Sequence, residues 1–466
     1  MNASSSPHED AIDTRVLRSC ALAASLTLLV AGSLAASHVE DWDGVGFALA
    51  SQGVDLARFR PHPPGYPTYA LVARSLGALG ASLDAVTRAL AMVSALGLAA
   101  FSAGVCAMLA ADRTSPWWRR SLVAVLAALA LPGTLRLATS VAPTSLALGL
   151  WALALGTARV RPDRWWLASL LLGASLASRP TDLVAIAGAT LALWPARAPL
   201  AKTVALACTV GALAHGPLIL SVGIRAFATL VQTHGAGHFD RVHASHDGSL
   251  VERLATVSGY LTERTSAPSI AIAIVSGVIA LALVVRASSQ RARVRVFVGV
   301  FICAAWWCVA QPARVERHLA WLGALGAIGL ARVLLVDPSR ALRTIALVVA
   351  LVTTTIGVRT ALDRQRVAPA PVQIGAFVRG RGGPLFGARH ARAAEIAGVE
   401  VFVARYEGEV WSTLTRMQRL PSLVWVTDEV APWPEGAREI HTFCGPRSSR
   451  GEPACVRVRA LYPRAQ

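Results

Sequence analysis

The sequence predicts an α-helical polytopic membrane protein of about eleven transmembrane helices with a small C-terminal extracytoplasmic α/β domain. The chain of 466 residues is 54% hydrophobic and 15% charged, whereas soluble domains are about 25% charged. Its apolar runs are repeatedly long enough to cross a hydrocarbon layer of about 30 Å. The segments between these runs are rich in arginine. Length, composition and spacing therefore all favour a membrane-embedded helical fold.

The positive charge is distributed between the apolar runs and does not form one basic surface. The net charge is +18, but the arginines recur in short clusters, as in cytoplasmic loops that follow the positive-inside rule. A nucleic-acid-binding protein would gather its cations on one face or in one tail. We therefore expect no nucleic-acid partner. We expect instead a multi-pass protein of the inner cell membrane, surrounded by membrane lipid.

The first predicted helix spans residues 18–37, and Arg15 before it places the N-terminus in the cytoplasm. No convincing signal-peptidase site follows this helix, which therefore stays in the chain as a membrane span. The next loop, residues 38–67, then faces outward. Two short amphipathic segments, 44–52 and 66–80, are expected to form helices along the membrane surface.

The remaining predicted spans alternate with arginine clusters, most of which fall on the cytoplasmic side. The exceptions are Arg179 and the group Arg314, Arg317 and His318, which fall on the outer side with the first loop. Residues 223–267 are predicted as a second outward polar loop. The remaining spans lie near residues 83–110, 121–136, 142–158, 165–178, 183–196, 203–222, 269–285, 296–310, 319–336 and 344–359.

The composition changes near residue 360, which separates a transmembrane module, residues 1–360, from a C-terminal domain, residues 361–466. The last predicted span places this domain on the outer side. An extracytoplasmic location would permit a disulfide between its cysteines, Cys444 and Cys455. The predicted elements of the domain are helices near 388–397 and 409–419, strands at 399–404 and 423–427, and a hairpin of 438–443 with 455–458.

Three carboxylates in the first outward loop are the strongest candidates for chemistry. Glu40, Asp41 and Asp43 lie within four positions of one another. Carboxylates beside a bilayer are unfavourable unless they face water, a partner or a substrate, which favours a functional role. The competing interpretation is that they cap a helix beginning at Gly44. Catalysis is the favoured interpretation for Asp43, and both interpretations stay open for Asp41.

An outward carboxylate and nearby arginines suit one class of group transfer. A carboxylate can remove the proton of an attacking hydroxyl, and arginine binds phosphate through a fixed fork of donors. Together they fit transfer from a lipid-linked phosphate to a hydroxyl or amine. The phosphate leaving group is already a stable anion, so that this reaction requires no general acid.

The first loop also carries a family resemblance. Asp43, followed four positions later by Phe47 and then by His-Pro-Pro-Gly-Tyr-Pro at 62–67, resembles the GT-C superfamily of integral-membrane glycosyltransferases. That superfamily includes protein O-mannosyltransferases and lipid A aminoarabinose transferases, which use polyprenyl-phosphate sugars. Arg317-His318-Leu319 is similar to an Arg-Tyr-Leu element found at that place in the family. The resemblance covers roughly the first 360 residues.

The resemblance implies roles for individual residues and partners. Asp43 would be the general base, with Asp41 second, for transfer from a polyprenyl-phosphate-linked sugar to a glycan, lipid or protein acceptor. The residues implied in binding the donor are Arg317, His318, Arg179, His62 and Tyr66. Many relatives have two adjacent acids in the first loop, whereas Gly44 stands at the second position here. Metal use therefore stays open, with a divalent cation as the candidate cofactor.

Two of these residues have structural alternatives. His62 is equally suited to holding the proline turn by hydrogen bonding. Arg179 is equally suited to extending its guanidinium to the membrane interface, as long cationic side chains do near helix ends.

Four histidines lie between residues 234 and 246, inside the predicted polar loop. The spacing of His234, His238, His243 and His246 fits no compact zinc template. An acceptor-binding or gating role is favoured over a metal site for this segment.

Two other functions compete with sugar transfer. A transporter or flippase of lipid-linked glycan intermediates would show paired helices interrupted by Gly or Pro in related halves, and the sequence shows none. An O-antigen polymerase or ligase would carry its functional arginines in a large late loop. Residues 223–267 resemble such a loop weakly, because their arginines are scattered.

Overall fold

A computed structural model describes residues 7–39, 42–110, 115–130, 134–241, 290–306, 320–336, 339–387, 391–399, 401–403, 424–427, 438–447 and 453–461. Within these ranges the chain is largely helical and ends in a small sheet, which confirms the predicted fold class. The helices are α1 (Pro7–Ser33), α2 (Trp42–Leu49), α3 (Pro67–Ala78), α4 (Leu83–Leu109), α5 (Trp117–Leu129), α6 (Thr134–Ala138), α7 (Pro143–Val160), α8 (Trp165–Ser178), α9 (Leu183–Leu193), α10 (Leu200–Val222), α11 (Ile224–Arg241), α12 (Gln290–Ala305), α13 (Ala320–Val336), α14 (Arg340–Arg366) and α15 (Ala370–Arg381).

Several of the described helices are apolar enough to cross a membrane. By length and composition, four segments qualify: Thr14–Ser33 in α1, all of α4, all of α10, and the long stretch Arg340–Arg381. The pair α8 and α9, bent by 107°, makes a fifth if it is one broken span. The count of about eleven spans stays a prediction, and the predicted span at 269–285 lies outside the described residues.

The segment predicted as a second polar loop begins differently in the structure. Residues 224–241 form α11, and residues 242–267 lie outside the described residues. The helix contains no proline, and its Ala, Leu, Gln and Arg residues have favourable helix propensity. Its polar composition disfavours burial in lipid but does not disfavour a helix.

Close helix packing holds the transmembrane part of the chain. A Cβ atom built on Gly97 of α4 would collide with the backbone of Ser145 and Leu146, and one on Gly104 would collide with the backbone of Ala152. Small residues at such positions let membrane helices approach until their backbones touch. The contact between α4 and α7 therefore depends on glycine at both positions.

The chain forms two compact units. The first comprises Met1–Ala35, Pro63–Tyr69 and Met92–Ala361, and the second comprises Ala36–His62, Ala70–Ala91 and Leu362–Gln466. The second unit therefore combines most of the first loop with the C-terminal region.

The sheet of the second unit has five strands in the order β2-β1-β3-β5-β4. Strand β1 pairs in parallel with β2 and β3, and β5 pairs antiparallel with β3 and β4. The two predicted strands and the predicted hairpin are confirmed, and the predicted helix near 388–397 is a 3-10 helix, Ala391–Ala397. The predicted helix at 409–419 lies outside the described residues. The strands are β1 (Leu385–Gly387), β2 (Val401–Val403), β3 (Val424–Thr427), β4 (Arg438–Arg447) and β5 (Pro453–Leu461).

A disulfide joins the two strands of the hairpin. Cys444 of β4 lies directly opposite Cys455 of β5, and their sulfur atoms are bonded. The bond closes a short loop, with a sequence separation of 11 residues.

Replacing Cys455 by Ser is expected to lower the free energy of unfolding of the second unit by about 3 kcal/mol, because a cross-link of this loop length restricts the unfolded chain. Thermal unfolding of the full chain in detergent, with and without reductant, measures the effect. Cys208→Ser is the matched control, since Cys208 is exposed and not cross-linked. Reductant should lower the melting temperature of the native chain and of the control, but not that of Cys455→Ser. Equal sensitivity in all three would contradict the prediction.

Candidate active site

Asp43 and His62 lie together in the second unit. Asp43 is in the first turn of α2, and its Oδ1 atom is 3.3 Å from Nδ1 of His62. Their side chains are 17% and 11% exposed, so the pair is largely shielded from solvent without being sealed. Phe47, one helical turn after Asp43, packs its ring 6.1 Å from the imidazole, centroid to centroid. The structure thus assembles the acid, the aromatic residue and the histidine of the sequence motif.

A tight turn brings His62 back to α2. Asp55 and Arg60 exchange two backbone hydrogen bonds of 2.8 Å, which close the turn just before His62. Within it Phe59 has a φ of 58°, a left-handed conformation that non-glycine residues rarely adopt. A Cβ atom on Gly46 would lie 2.5 Å from the Phe59 carbonyl oxygen. The turn can therefore pack against α2 only because residue 46 is glycine.

Asp43 is the second residue of α2, whereas a helix-capping residue would precede the helix. Helix α2 begins at Trp42, so Asp43 lies inside the first turn and its side chain contacts His62. A carboxylate there is favoured by the positive end of the helix. Glu40 and Asp41 lie outside the described residues.

A second charged group is buried in the first unit. Nε of Arg179 donates a hydrogen bond of 2.9 Å to Oδ2 of Asp182, and Nε1 of Trp321 donates one of 2.8 Å to the same oxygen. The Arg179 and Asp182 side chains are 4% and 2% exposed. The guanidinium is therefore buried within the protein and paired with a carboxylate, which favours binding or structural roles over extension to a membrane interface. Its four remaining N–H groups belong to its two terminal nitrogens.

The helix ends explain how these residues meet. Helix α8 ends at Ser178, the 3-10 helix Pro180–Asp182 follows, and α9 leaves at a bend of 107°. Trp321 is in the first turn of α13, and its ring packs edge-on against Trp151 at 5.6 Å. The buried carboxylate of Asp182 thus connects the bend to the start of α13.

Of the other predicted site residues, the structure describes only some. Tyr66 is buried just before α3, with a φ of 49°. Arg317 and His318 lie outside the described residues, as do His243 and His246 of the histidine-rich segment. His234 and His238 are in α11. Among the described residues, no group of three or more His, Cys, Asp or Glu side chains is placed to hold a metal ion.

Sequence reasoning missed Asp182, Trp321, Arg392 and Glu395. Asp182 had a signal, since an acid three positions after an arginine at the junction of two apolar segments needs a partner. Arg392 and Glu395 had none, because their contacts are with Arg58, Phe59 and Arg60, more than 330 positions away.

Comparisons with known proteins give a fold-level match. No protein-family model and no curated protein sequence matches this chain. The structure of ArnT from Cupriavidus metallidurans in the apo state matches with a TM-score of 0.52 at 12% identity, over 94% of this chain and 97% of that one. The structure of the same protein bound to undecaprenyl phosphate matches with a TM-score of 0.51, at the same identity and coverage. The chain therefore shares the fold of ArnT over almost the whole length of both proteins, which confirms the predicted membrane-protein architecture.

Proposed function

We propose that this chain is a membrane glycosyltransferase that transfers a sugar from a polyprenyl-phosphate donor to an acceptor on the outer face of the inner membrane. The observation that carries the proposal is the match to ArnT over almost the whole of both chains, in one case with undecaprenyl phosphate bound. The donor is a hexose or pentose linked through its anomeric carbon to the lipid phosphate. The acceptor is a hydroxyl or amine of a glycan, lipid or protein.

Asp43 serves as the general base. Its carboxylate takes the acceptor proton while the acceptor oxygen or nitrogen forms a bond to the anomeric carbon. The bond between that carbon and the phosphate oxygen breaks, and polyprenyl phosphate leaves with the electron pair. Direct displacement inverts the anomeric centre. His62, 3.3 Å from the carboxylate, orients Asp43 for this proton transfer.

Arg317 and Arg179 bind the lipid phosphate in this proposal, with His318 and Tyr66 assisting in donor binding. Asp182 holds Arg179 through Nε, which leaves the two terminal nitrogens of the guanidinium for a phosphate. Trp321, which donates to the same carboxylate, follows Arg317 by four positions and holds the beginning of α13.

The proposed orientation follows the sequence prediction. The N-terminus is cytoplasmic, and the first loop and the C-terminal domain face outward. Residues 1–360 form the transmembrane catalytic module and residues 361–466 the extracytoplasmic domain.

Donor consumption by the purified full chain tests the function. The protein is incubated with a panel of radiolabelled polyprenyl-phosphate hexoses and pentoses and with candidate acceptors. We expect one donor to yield free polyprenyl phosphate and a product of inverted anomeric configuration, determined by NMR, while nucleotide sugars stay intact. Retention of configuration would contradict direct displacement, and consumption of nucleotide sugars would contradict the donor class.

A further inference from the structure

Arg392 contacts the turn that precedes His62. It lies in the 3-10 helix Ala391–Ala397 of the C-terminal domain and is 2% exposed. One terminal nitrogen donates hydrogen bonds of 3.0 Å to the carbonyl of Arg58 and 2.7 Å to the carbonyl of Phe59. A buried guanidinium that donates to two neighbouring backbone carbonyls of the turn fixes the positions of those carbonyls.

An ion pair supports the same turn at the next residue, Arg60. Nη2 of Arg60 donates a hydrogen bond of 3.2 Å to Oε2 of Glu395. The other carboxylate oxygen, Oε1, lies 4.0 Å from Nε of Arg392. Glu395 therefore lies between two cations, offsets part of their charge, and joins Arg392 in linking residues 58–60 of the turn to one helix.

The Phe59 carbonyl is the point where these contacts meet α2. The carbonyl oxygen that accepts the hydrogen bond from Arg392 also lies directly against Gly46, three positions after Asp43. Phe59 itself is in the left-handed region, a conformation that persists only where the surroundings enforce it. The chain then runs from Arg60 through Pro61 to His62. Displacing the Phe59 carbonyl would therefore move His62 relative to Asp43.

We propose that Arg392 and Glu395 are positioning residues through which the C-terminal domain sets the geometry of the Asp43–His62 pair. The inference rests on the proposed function, in which Asp43 is the general base. It gives the C-terminal domain a part in turnover that is separate from contact with the donor.

The choice of arginine at position 392 follows from the contact it makes. A guanidinium is a planar fork of fixed donors, whereas lysine presents a single mobile ammonium. Arg392→Lys keeps the charge but loses this geometry. Because a misplacement of about 1 Å far from the chemistry can lower a rate by about 100-fold, we expect kcat to fall by about 10- to 100-fold. The KM for the donor should stay unchanged.

Two measurements on the full chain in detergent test the proposal. The first is donor turnover by Arg392→Lys, Arg392→Gln and Glu395→Gln. The second is hydrogen exchange of residues 55–62, which requires no substrate. Arg379→Gln is the matched control, because Arg379 is an exposed arginine of the same domain. A cycle of Arg60→Gln, Glu395→Gln and the double variant tests whether that pair acts as a unit.

The expected result is faster exchange at the Asp55 and Arg60 amides and a loss of kcat in the Arg392 variants, with neither effect in the control. The double variant of the cycle should be no slower than the slower single variant. Unchanged exchange in the Arg392 variants would overturn the proposal, as would an equal loss of kcat in Arg379→Gln. If the native chain consumes no donor, the proposed function fails and exchange alone decides whether Arg392 holds the turn.

Discussion

Asp43→Asn is expected to abolish sugar transfer while leaving the donor bound. The amide has nearly the shape of the carboxylate but does not take up the acceptor proton, and a general base contributes about 10²- to 10⁴-fold to a rate. We therefore expect kcat to fall by at least about 100-fold, with the dissociation constant for the polyprenyl-phosphate sugar unchanged. Initial rates and equilibrium binding of labelled donor separate the two quantities.

Asp84→Asn is the matched control for Asp43→Asn. Asp84 is also an aspartate in the first turn of a helix, and it is exposed. Its replacement removes the same charge from a similar helix end and should leave kcat unchanged. If Asp43→Asn turns over as fast as this control, Asp43 only stabilises the end of its helix, and Asp41 becomes the candidate base.

Asp182→Ala is expected to lower the free energy of unfolding by about 3–5 kcal/mol, because it leaves the buried guanidinium of Arg179 without its counter-charge. It also removes the acceptor of the Trp321 indole N–H, which adds a second unpaired polar group. Denaturant titration of the full chain in detergent measures the change. Trp321→Phe keeps the counter-charge of Arg179 and loses the indole hydrogen bond and part of the buried ring, so we expect a smaller effect than that of Asp182→Ala.

The chain contains a matched exposed pair. Arg161 and Asp163 lie 3.5 Å apart near the start of α8, with side chains 39% and 64% exposed. An exposed pair of this kind contributes about 0–1 kcal/mol, so Asp163→Ala should change stability little. If Asp163→Ala and Asp182→Ala lower the free energy of unfolding equally, burial of the Arg179–Asp182 pair does not add to stability, and the prediction fails.

Local signals explain which parts of the fold were predictable. The helices α4, α7, α8 and α10 follow from the length of their apolar runs, and the hairpin follows from alternating strands on either side of a polar segment. The sequence did not predict α11, α15 or β1. Strand β1 has only three residues after a Gly-Gly-Pro segment, and α15 lies before the first element that the sequence predicts for the C-terminal domain.

The site was predictable only where its residues share one stretch of sequence. Asp43, Phe47 and His62 belong to one loop, so their motif was visible. The partner of Arg179 was close in sequence, and its position at the junction of two apolar segments was a usable signal that the prediction did not include. Arg392 contacts residues more than 330 positions earlier in the chain. Sequence spacing predicts contacts only between residues that are close in the chain, so it could not predict these.

Stoichiometry in vesicles tests the central claim most directly. The full chain is reconstituted with a polyprenyl-phosphate sugar that is labelled in both the sugar and the lipid, and acceptor is supplied on one side. The account predicts one molecule of free polyprenyl phosphate for each sugar that appears on the acceptor, and no such release by Asp43→Asn. Recovery of the intact donor in the opposite leaflet, with no free polyprenyl phosphate, would contradict sugar transfer and identify the chain as a flippase of lipid-linked sugars.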